Sequence, residues 1–178
     1  APPSRRQILL LRPRGSGRSG VADDWLLADA RDPASAATAI SALADLLRDR
    51  LDRSSPTGST PKNPEIWLLA DDAELLGRQV WAPLEPFLPR SNDLGLHLVV
   101  ALRAHGVARF LHEPVPDHLL MRGETALLAG PPEEGPVAHG HRLRKQPPGR
   151  ALVVRPNGSS EPAQVAFAAE AGRCTEAG

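Results

Sequence analysis

The sequence is poor in aromatic residues and has almost no cysteine. Phenylalanine, tryptophan and tyrosine together make up 3% of the 178 residues, and tyrosine is absent. Because the chain is 41% hydrophobic, a core is still expected, but it must be built from leucine, valine and alanine. The single cysteine, Cys174, excludes an internal disulfide framework and a cysteine-rich zinc site.

An excess of one charge and long apolar runs are also missing. Lysine plus arginine and aspartate plus glutamate number 21 each, which disfavours a globally basic nucleic-acid binder and an acidic tail protein. No apolar run approaches the roughly 18 residues that span a bilayer. The short run Ile8 to Leu11 is too brief for the core of a signal peptide. The first residue is Ala rather than Met, so we expect a chain that is processed or cut from a longer polypeptide.

Glycine and proline are abundant, and they separate alternating strand and helix patterns. The 15 glycines and 19 prolines exceed average usage and mark frequent chain breaks. Apolar residues at spacings of three and four predict a helix from Pro33 to Leu51, with Asp32 as its N-cap. The apolar run from Leu96 to Leu102 does not alternate, which indicates a strand covered on both faces, as in a parallel sheet. Further strands are predicted at residues 7–12, 66–70, 125–129 and 151–154, and short helical stretches at 75–80, 107–111 and 117–122.

This alternation predicts an α/β fold with a mostly parallel sheet and flanking helices. We expect one domain over residues 1–155, interrupted by a polar loop at 54–64. Residues 156–178 are rich in Ala, Gly, Glu, Pro and Ser, so a flexible C-terminal tail is expected there.

Two acids follow the second buried strand directly, at Asp71 and Asp72. In P-loop nucleotidases an acid at such a strand end holds magnesium, and a second acid orients the attacking water. Ligands bind beyond the carboxyl ends of parallel strands, so this position suits catalysis. The competing interpretation is structural, with Asp71 capping the next helix and Glu74 answering as its capping-box partner.

Arg103 ends the strand pattern that begins at Leu96. A guanidinium at the same sheet edge as Asp71 and Asp72 is suited to sense or stabilise a phosphate. An exposed arginine at a strand end, without any such role, is the alternative.

Three other patterns are weaker. Gly15 to Gly20 has the glycine spacing of a phosphate loop, but Val21-Ala22 stands where Lys and Ser or Thr are needed, so we interpret it as non-functional. His139 and His141 are the one close histidine pair, and no cysteine lies nearby to build a metal site. We expect His97 to be a hydrogen-bonded core residue. A possible basic patch for phosphates is formed by Arg142, Arg144, Lys145 and Arg150.

The order of these segments is more specific than any one of them. Pro64 to Leu76 resembles the Walker B strand of FtsK/SpoIIIE-type ATPases, and most of all the C-terminal ATPase module of EccC from the type VII (ESX) secretion systems of actinobacteria. Asp93 to Arg103 resembles the strand that follows in that family. Leu127 to Gly135 and Pro147 to Ala151 resemble its closing segments. The resemblance covers about residues 8–154.

The resemblance implies a RecA-like, P-loop NTPase-type sheet that uses ATP and magnesium. It assigns Asp71 to magnesium, Asp71 and Asp72 to a degenerate Walker B site, and Arg103 to phosphate. It also implies partners, namely other ATPase modules of a secretion complex and small helical secreted proteins. The implied location is cytoplasmic, at the inner face of the cell membrane through a complex.

The departures from the family limit these expectations. The Walker A loop should precede the first strand and is absent, so the sheet is expected to be incomplete at its phosphate-loop end. Asp72 replaces the usual glutamate, and Ser91-Asn92 replaces an Ala-Arg pair. We therefore expect a truncated or degenerate module that does not bind ATP tightly or hydrolyse it alone.

Two other functions remain open at this point. One is a non-catalytic module that docks substrate signal peptides or neighbouring ATPase domains, with apolar contacts along Trp81 to Pro89 and near Phe110 and Leu111. The other is a DNA-translocase remnant that uses the basic residues from Arg142 to Arg150, against which the neutral net charge counts.

Overall fold

Four parallel strands form the larger of two sheets in the computed structural model. The structure describes residues 2, 4–15, 19–53, 63–103, 107–130 and 136–164. The strands are β1 (Arg6–Leu11), β2 (Leu26–Ala30), β3 (Glu65–Ala70) and β4 (Leu96–Val100). Their order is β2-β1-β3-β4, and all neighbours are parallel. The predicted α/β class with a mostly parallel sheet is confirmed, and β1, β3 and β4 lie where the apolar runs placed them.

The strand β2 is the one in the larger sheet that the sequence did not predict. It follows a short 3₁₀ turn at Asp23–Trp25 and pairs with β1 along its length. Its second half reads Ala-Asp-Ala, which has low intrinsic strand preference. Pairing with β1, rather than local sequence, therefore determines this strand.

The helix α1 (Pro33–Arg53) packs along one face of the larger sheet. Asp32 caps it as predicted, since its Oδ1 accepts hydrogen bonds from the N–H groups of Ala34 and Ser35, both at 2.9 Å. The buried residues of the helix are Ala36, Ile40, Leu43, Ala44, Leu47 and Arg50. The predicted amphipathic helix is thus confirmed, and it extends two residues further than expected.

Short helical turns connect β3 to β4. They are a 3₁₀ turn at Ala73–Leu75, the helix α2 (Arg78–Trp81) and a 3₁₀ segment at Ala82–Arg90. The buried side chains of this connection are Ala73, Leu76, Val80, Trp81, Leu84, Phe87 and Leu88. The apolar contact surface expected along Trp81 to Pro89 is therefore wrong, because these side chains pack into the main core with α1. No helix in the described part of the chain is long and apolar enough to cross a membrane.

The smaller sheet is antiparallel and follows the helix α3 (Pro114–Met121). Its strands, in the order β5-β6-β7, are β5 (Ala126–Leu128), β6 (Arg150–Val154) and β7 (Ser160–Gln164). The predicted strands at 125–129 and 151–154 are confirmed. The helices expected at 107–111 and 117–122 are a 3₁₀ turn at Val107–Arg109 and the second half of α3.

Part of the segment predicted as a flexible tail instead forms β7. Asn157 and Gly158, with Gly158 at φ 77°, turn the chain back, and the N–H of Arg155 donates to the Ser159 carbonyl at 2.9 Å. An Asn-Gly pair is a strong hairpin signal, so a local cue for this turn was present in the sequence. Residues 165–178 of the predicted tail and 54–62 of the predicted polar loop lie outside the described residues.

The two faces of the larger sheet have different surroundings. The covered face packs against α1 and the β3–β4 connection, and each of its central side chains is at most 3% exposed. These side chains are Leu9, Leu11, Ile66, Leu68, Ala70 and Leu96. The other face, which we call the open face, carries Ile8, Leu10, Trp67, Leu69, His97 and Val99. None of these six is buried, and none belongs to a core cluster of the described residues.

The prediction that β4 is covered on both faces is therefore wrong. Val99 is 47% exposed, because β4 is an edge strand and no described helix packs on its second face. His97 lies on this same face, half-buried, with its ring stacked on Trp67 at a centroid distance of 4.5 Å. An apolar run indicates that both faces of a strand are suited to burial, but it does not identify the element that covers each face.

Candidate functional site

The two predicted acids and the predicted arginine meet at the carboxyl edge of the larger sheet. Asp71 and Asp72 follow β3 directly, and Arg103 lies three residues beyond β4. Because β3 and β4 run parallel with Ala70 opposite Val100, these side chains emerge at the same edge. Arg103 Nε donates to Asp72 Oδ1 at 2.8 Å. The structure thus brings the three residues together, while their role toward metal or phosphate stays a prediction.

The backbone of the sheet clamps the turn that carries the acids. On one side the N–H of Asp71 donates to the Leu11 carbonyl at 2.8 Å, and on the other the N–H of Ala73 donates to the Ala101 carbonyl at 3.1 Å. Between these anchors Asp72 has φ 47°, in the left-handed region that aspartate tolerates better than most residues. Both neighbouring strands therefore fix where the Asp72 carboxylate lies.

Glu74 is a third acid at this edge, and the sequence did not indicate its role there. Its Oε1 lies 3.4 Å from Arg103 Nε, and its Oε2 accepts the backbone N–H of Arg103 at 3.4 Å. The Glu74 side chain is 10% exposed, whereas that of Arg103 is 56% exposed. We call Asp71, Asp72, Glu74 and Arg103 the acid–arginine cluster. The hydrogen bond to Asp72, together with the negative charge of the acids, raises the pKa of Arg103.

The capping-box interpretation of Asp71 and Glu74 is wrong. The backbone N–H of Asp71 is used by Leu11 in the sheet, so it is not capped by Glu74. The Asp71 carboxylate instead accepts the N–H of Asp72 at 3.0 Å, and the Glu74 carboxylate turns to Arg103. The three-residue spacing of the two acids reflects a shared sheet edge rather than a helix start.

A second ionic group lies at the carboxyl ends of β1 and β2. Arg12 binds Asp29 in bidentate fashion, with Nε to Oδ1 and NH2 to Oδ2 both at 2.7 Å. Arg31 adds a contact of 2.8 Å to Asp29 Oδ2. The hydrogen bond from Arg12, followed by that from Arg31, holds the pKa of Asp29 well below its usual range. Sequence reasoning missed this group, because β2 was not predicted.

The other predicted site residues lie apart from a metal or nucleotide constellation. Arg142, Arg144 and Lys145 are exposed on the segment before β6, and Arg150 is exposed at the start of β6. Their binding of phosphates stays a prediction. His139 and His141 each place Nε2 at 3.0 Å from a backbone carbonyl oxygen, of Glu124 and Gly158 respectively. Within the described ranges no group of three or more His, Cys, Asp or Glu side chains is arranged to hold a metal ion.

Comparison with known proteins finds related sequences and related structures. No protein-family model matches the chain. A relative, the ESX-4 secretion system protein EccC4 of Mycobacterium tuberculosis, is 33% identical over 174 residues. That alignment covers 92% of this chain but 14% of EccC4, so the chain spans about a seventh of the length of that relative.

Two solved structures share the fold. ATPases 2 and 3 of Thermomonospora curvata EccC, in complex with a signal sequence peptide, match with a TM-score of 0.84 and 22% identity over 95% of this chain and 32% of that one. The cytoplasmic domain of the type VII secretion ATPase EccC from the same organism matches with a TM-score of 0.82 and 22% identity, over 95% of this chain and 21% of that one. These likenesses confirm the RecA-like arrangement that the sequence predicted. The chain is therefore an EccC-like module of the type VII (ESX) secretion family, similar in sequence and fold to the ATPase modules of EccC.

Proposed function

We propose that this chain forms the acid-bearing part of a nucleotide site in a type VII secretion ATPase, which drives or docks the export of small helical proteins. The observation that carries the proposal is the acid–arginine cluster at the carboxyl edge of a parallel sheet in an EccC-like module. In open α/β sheets this edge is where ligands bind. The chain works there with other ATPase modules, in the cytoplasm at the inner face of the membrane.

The residues at this edge fit a magnesium ion that is held mainly by phosphate oxygens and water. Magnesium in such sites takes one or two carboxylates and leaves its other positions to substrate and solvent. Asp71 supplies an exposed carboxylate beside Asp72, while Glu74 is turned toward Arg103. Bound magnesium and ATP supply a polarised phosphoryl group for transfer to water.

The contribution of the protein itself is to hold charged side chains in position. Asp71 offers an oxygen ligand, and Asp72 is held by the sheet where it orients a water molecule. The exposed guanidinium of Arg103 is within reach of the solvent at this edge, and release of its contact with Asp72 frees it for a phosphate oxygen. In the chain as it stands, Arg103 is paired with Asp72, and the three carboxylates of the cluster outnumber its one guanidinium, which supports the expectation of weak or no nucleotide binding by this chain alone.

Calorimetric titration with magnesium–ATP tests this proposal. We expect residues 1–178 alone to show no micromolar binding, and a longer natural polypeptide that includes them to bind. In the longer form, Asp71→Asn is expected to lower hydrolysis by about 10²-fold or more. The matched control is Asp93→Asn, an exposed acid that pairs with Arg90 ahead of β4, toward the opposite edge of the sheet.

Either of two results contradicts the proposal. Micromolar, magnesium-dependent binding of ATP by residues 1–178 alone shows that the chain binds nucleotide without the rest of a longer polypeptide. Equal hydrolysis by the Asp71→Asn and Asp93→Asn variants shows that the acid edge is not the catalytic one.

A docking role is the second candidate function, and one observation favours it. The T. curvata EccC structure with the matching fold is a complex with a signal sequence peptide. We propose that this chain likewise docks the C-terminal signal of small helical secreted proteins without needing hydrolysis. Fluorescence anisotropy of a labelled signal peptide is expected to rise on titration with residues 1–178, equally with and without ATP. A flat anisotropy curve up to high micromolar protein removes this candidate.

A further inference from the structure

The turn between β6 and β7 holds the one Asn-Gly pair of the sequence, Asn157 and Gly158. Asparagine is among the chemically labile residues. The backbone nitrogen of the next residue lies close to the side-chain amide carbon, and glycine has no side chain to obstruct its approach. A Cβ placed on Gly158 would meet no atom within 4 Å, and residues 155–161 are all exposed. The surroundings therefore leave this pair open to reaction with solvent.

Ser159 binds the side-chain amide of Asn157 at its oxygen. Asn157 Oδ1 accepts the backbone N–H of Ser159 at 3.0 Å and its Oγ–H at 2.7 Å. Attack of a nucleophile on Cγ places negative charge on Oδ1, so both donors are aimed at the atom where charge develops. The amide nitrogen Nδ2, which would depart, makes no hydrogen bond to a described residue. The turn thus activates the amide carbon and leaves its amino group unrestrained.

One hydrogen bond restrains the attacking nitrogen. The N–H of Gly158 donates to the Arg155 carbonyl at 2.9 Å, and the nitrogen has to leave this bond to reach Cγ. The turn lies at an exposed loop tip, where local opening costs the least free energy. The contacts between Asn157 and Ser159 join residues two positions apart, so loss of the Gly158–Arg155 bond does not itself break them.

The strand β7 depends on this turn for its position. It is the edge strand of the smaller sheet, and none of its residues belongs to a core cluster of the described residues. Its pairing with β6 begins beside the turn, where Ser160 lies opposite Val154. The turn itself is closed by the N–H of Arg155, which donates to the Ser159 carbonyl at 2.9 Å. The length of backbone between Arg155 and Ser159 therefore sets the register of β7.

We infer that Asn157 is a site of spontaneous deamidation promoted by Ser159, and that the isoaspartate product releases β7 from β6. The Gly158 nitrogen bonds to Cγ of Asn157 and gives its proton to solvent. The bond from Cγ to Nδ2 then breaks, and ammonia leaves with a proton taken from water. The cyclic imide that remains adds one water molecule and opens at either carbonyl, which gives aspartate or isoaspartate. The net change is the gain of water and the loss of ammonia, with no oxidation or reduction.

The two products have different effects on the turn. Both place a negative charge at position 157, but aspartate leaves the length of the backbone unchanged. In isoaspartate the main chain runs through the former side chain, which adds a methylene group before Gly158. The added atom displaces Ser159 from Arg155 and Ser160 from its place opposite Val154. The isoaspartate form alone is therefore expected to lose the pairing of β7. None of these steps involves nucleotide, so the inference stands apart from the proposed ATPase function.

Peptide mapping by mass spectrometry of residues 1–178, held at mildly alkaline pH, measures the reaction. Asn92 is the internal reference, because it is also exposed but precedes Asp93, which has a side chain. We expect Asn157 to convert at least about tenfold faster than Asn92. Ser159→Ala is expected to slow conversion about threefold to tenfold, because it removes the Oγ donor. Ser160→Ala, at the neighbouring exposed serine, is the matched control and is expected to react like the wild type. In concentrated urea, where the turn is lost, the two serine variants are expected to react at equal rates.

Hydrogen exchange of residues 160–164, followed by mass spectrometry, measures the consequence. The isoaspartate form is separated from the unmodified protein by chromatography before exchange. We expect residues 160–164 to exchange at least about tenfold faster in that form. Asn157→Asp carries the same charge without the added methylene group, so its exchange is expected to match that of the unmodified protein.

Each part of the inference can be overturned separately. Equal conversion of Asn157 and Asn92 removes the site. If folded Ser159→Ala reacts as fast as Ser160→Ala, Ser159 does not promote the reaction. A difference between these variants that persists in urea assigns the effect to the local sequence and not to the folded turn. Equal exchange of residues 160–164 in the isoaspartate and unmodified forms removes the release of β7.

Discussion

The covered and open faces of the larger sheet come from the same strands, yet they have opposite surroundings. In β3, Ile66 and Leu68 are fully buried against the helices, while Trp67 and Leu69 point to the open face. Both pairs are apolar, as in strands that are covered on both sides. The faces therefore differ in what this chain supplies to cover them, and not in the character of the strands themselves.

The largest expected effect contrasts neighbouring leucines in β3. Leu68→Ala removes a fully buried side chain and is expected to lower the free energy of unfolding by about 2–5 kcal/mol. Leu69→Ala, on the open face, is expected to cost about 1 kcal/mol or less in residues 1–178. Urea unfolding followed by circular dichroism measures both. Equal losses for the two variants would show that the open face is already covered.

A second contrast concerns the helix on the covered face. Arg50 of α1 is buried, and it donates to the Leu94 carbonyl at 2.7 Å and to the Pro64 carbonyl at 2.8 Å, which ties the amino ends of β3 and β4 to the helix. Arg50→Ala leaves both carbonyls without that donor, so a loss of about 2–3 kcal/mol in unfolding free energy is expected. Arg53→Ala, one turn further on, serves as the exposed control. If Arg50→Ala lowers the unfolding free energy no more than Arg53→Ala does, Arg50 does not tie the strands to the helix as described.

The third prediction concerns the ion pair between Arg12 and Asp29, where Asp29 lies on the same side of the larger sheet as Leu10 of the open face. Asp29 pairs in register with Leu10, and its pKa is held below the unfolded value by Arg12 and Arg31. A carboxyl group with a lowered folded-state pKa stabilises the protein above its unfolded pKa of about 4, and that stability is lost as the pH falls below it. Urea midpoints are therefore expected to differ between the wild type and Asp29→Asn at pH 7, and the difference is expected to narrow steadily as the pH falls from about 4 towards 2. A constant difference across this range contradicts the assignment.

The smallest effect is expected at the exposed end of the open face. Val99→Thr is expected to change the unfolding free energy of residues 1–178 by about 0.5 kcal/mol or less, because nearly half of the side chain meets solvent. Differential scanning calorimetry gives the comparison with wild type. A loss well above 1 kcal/mol would mean that the residue is packed in solution.

The sequence was informative where structure is local or where a run is fully apolar. Asp32 as a cap, the strands β3 and β4, and the meeting of Asp72 with Arg103 all followed from spacing and from the geometry of parallel strands. The strand β2 could not be predicted in this way, because only pairing with β1 stabilises its Ala-Asp-Ala half.

The predictions that failed share one cause, which is that contacts between residues distant in the sequence determined the structure. Glu74 belongs to the acid–arginine cluster because the turn after β3 brings it to a residue 29 positions away, which no spacing rule encodes. Trp81 was assigned to an apolar docking surface along the stretch to Pro89, yet its side chain and those of Leu84, Phe87 and Leu88 pack into the core. No described helix covers the second face of β4, so the apolar run alone predicted a covering that the described residues do not supply.

Hydrogen exchange at the edge of β4 tests most directly the central claim that the outer edge of this strand is unpaired in residues 1–178. In residues 1–178, measured by NMR, the amides of His97 and Val99 are expected to be protected, because they pair with β3. The amides of Leu98 and Val100 are expected to exchange at least about a hundredfold faster, because they lie on the outer edge of β4 with no partner strand among the described residues. Equal protection of all four amides would contradict an unpaired outer edge of β4, and with it the contrast between the paired and unpaired sides of this sheet.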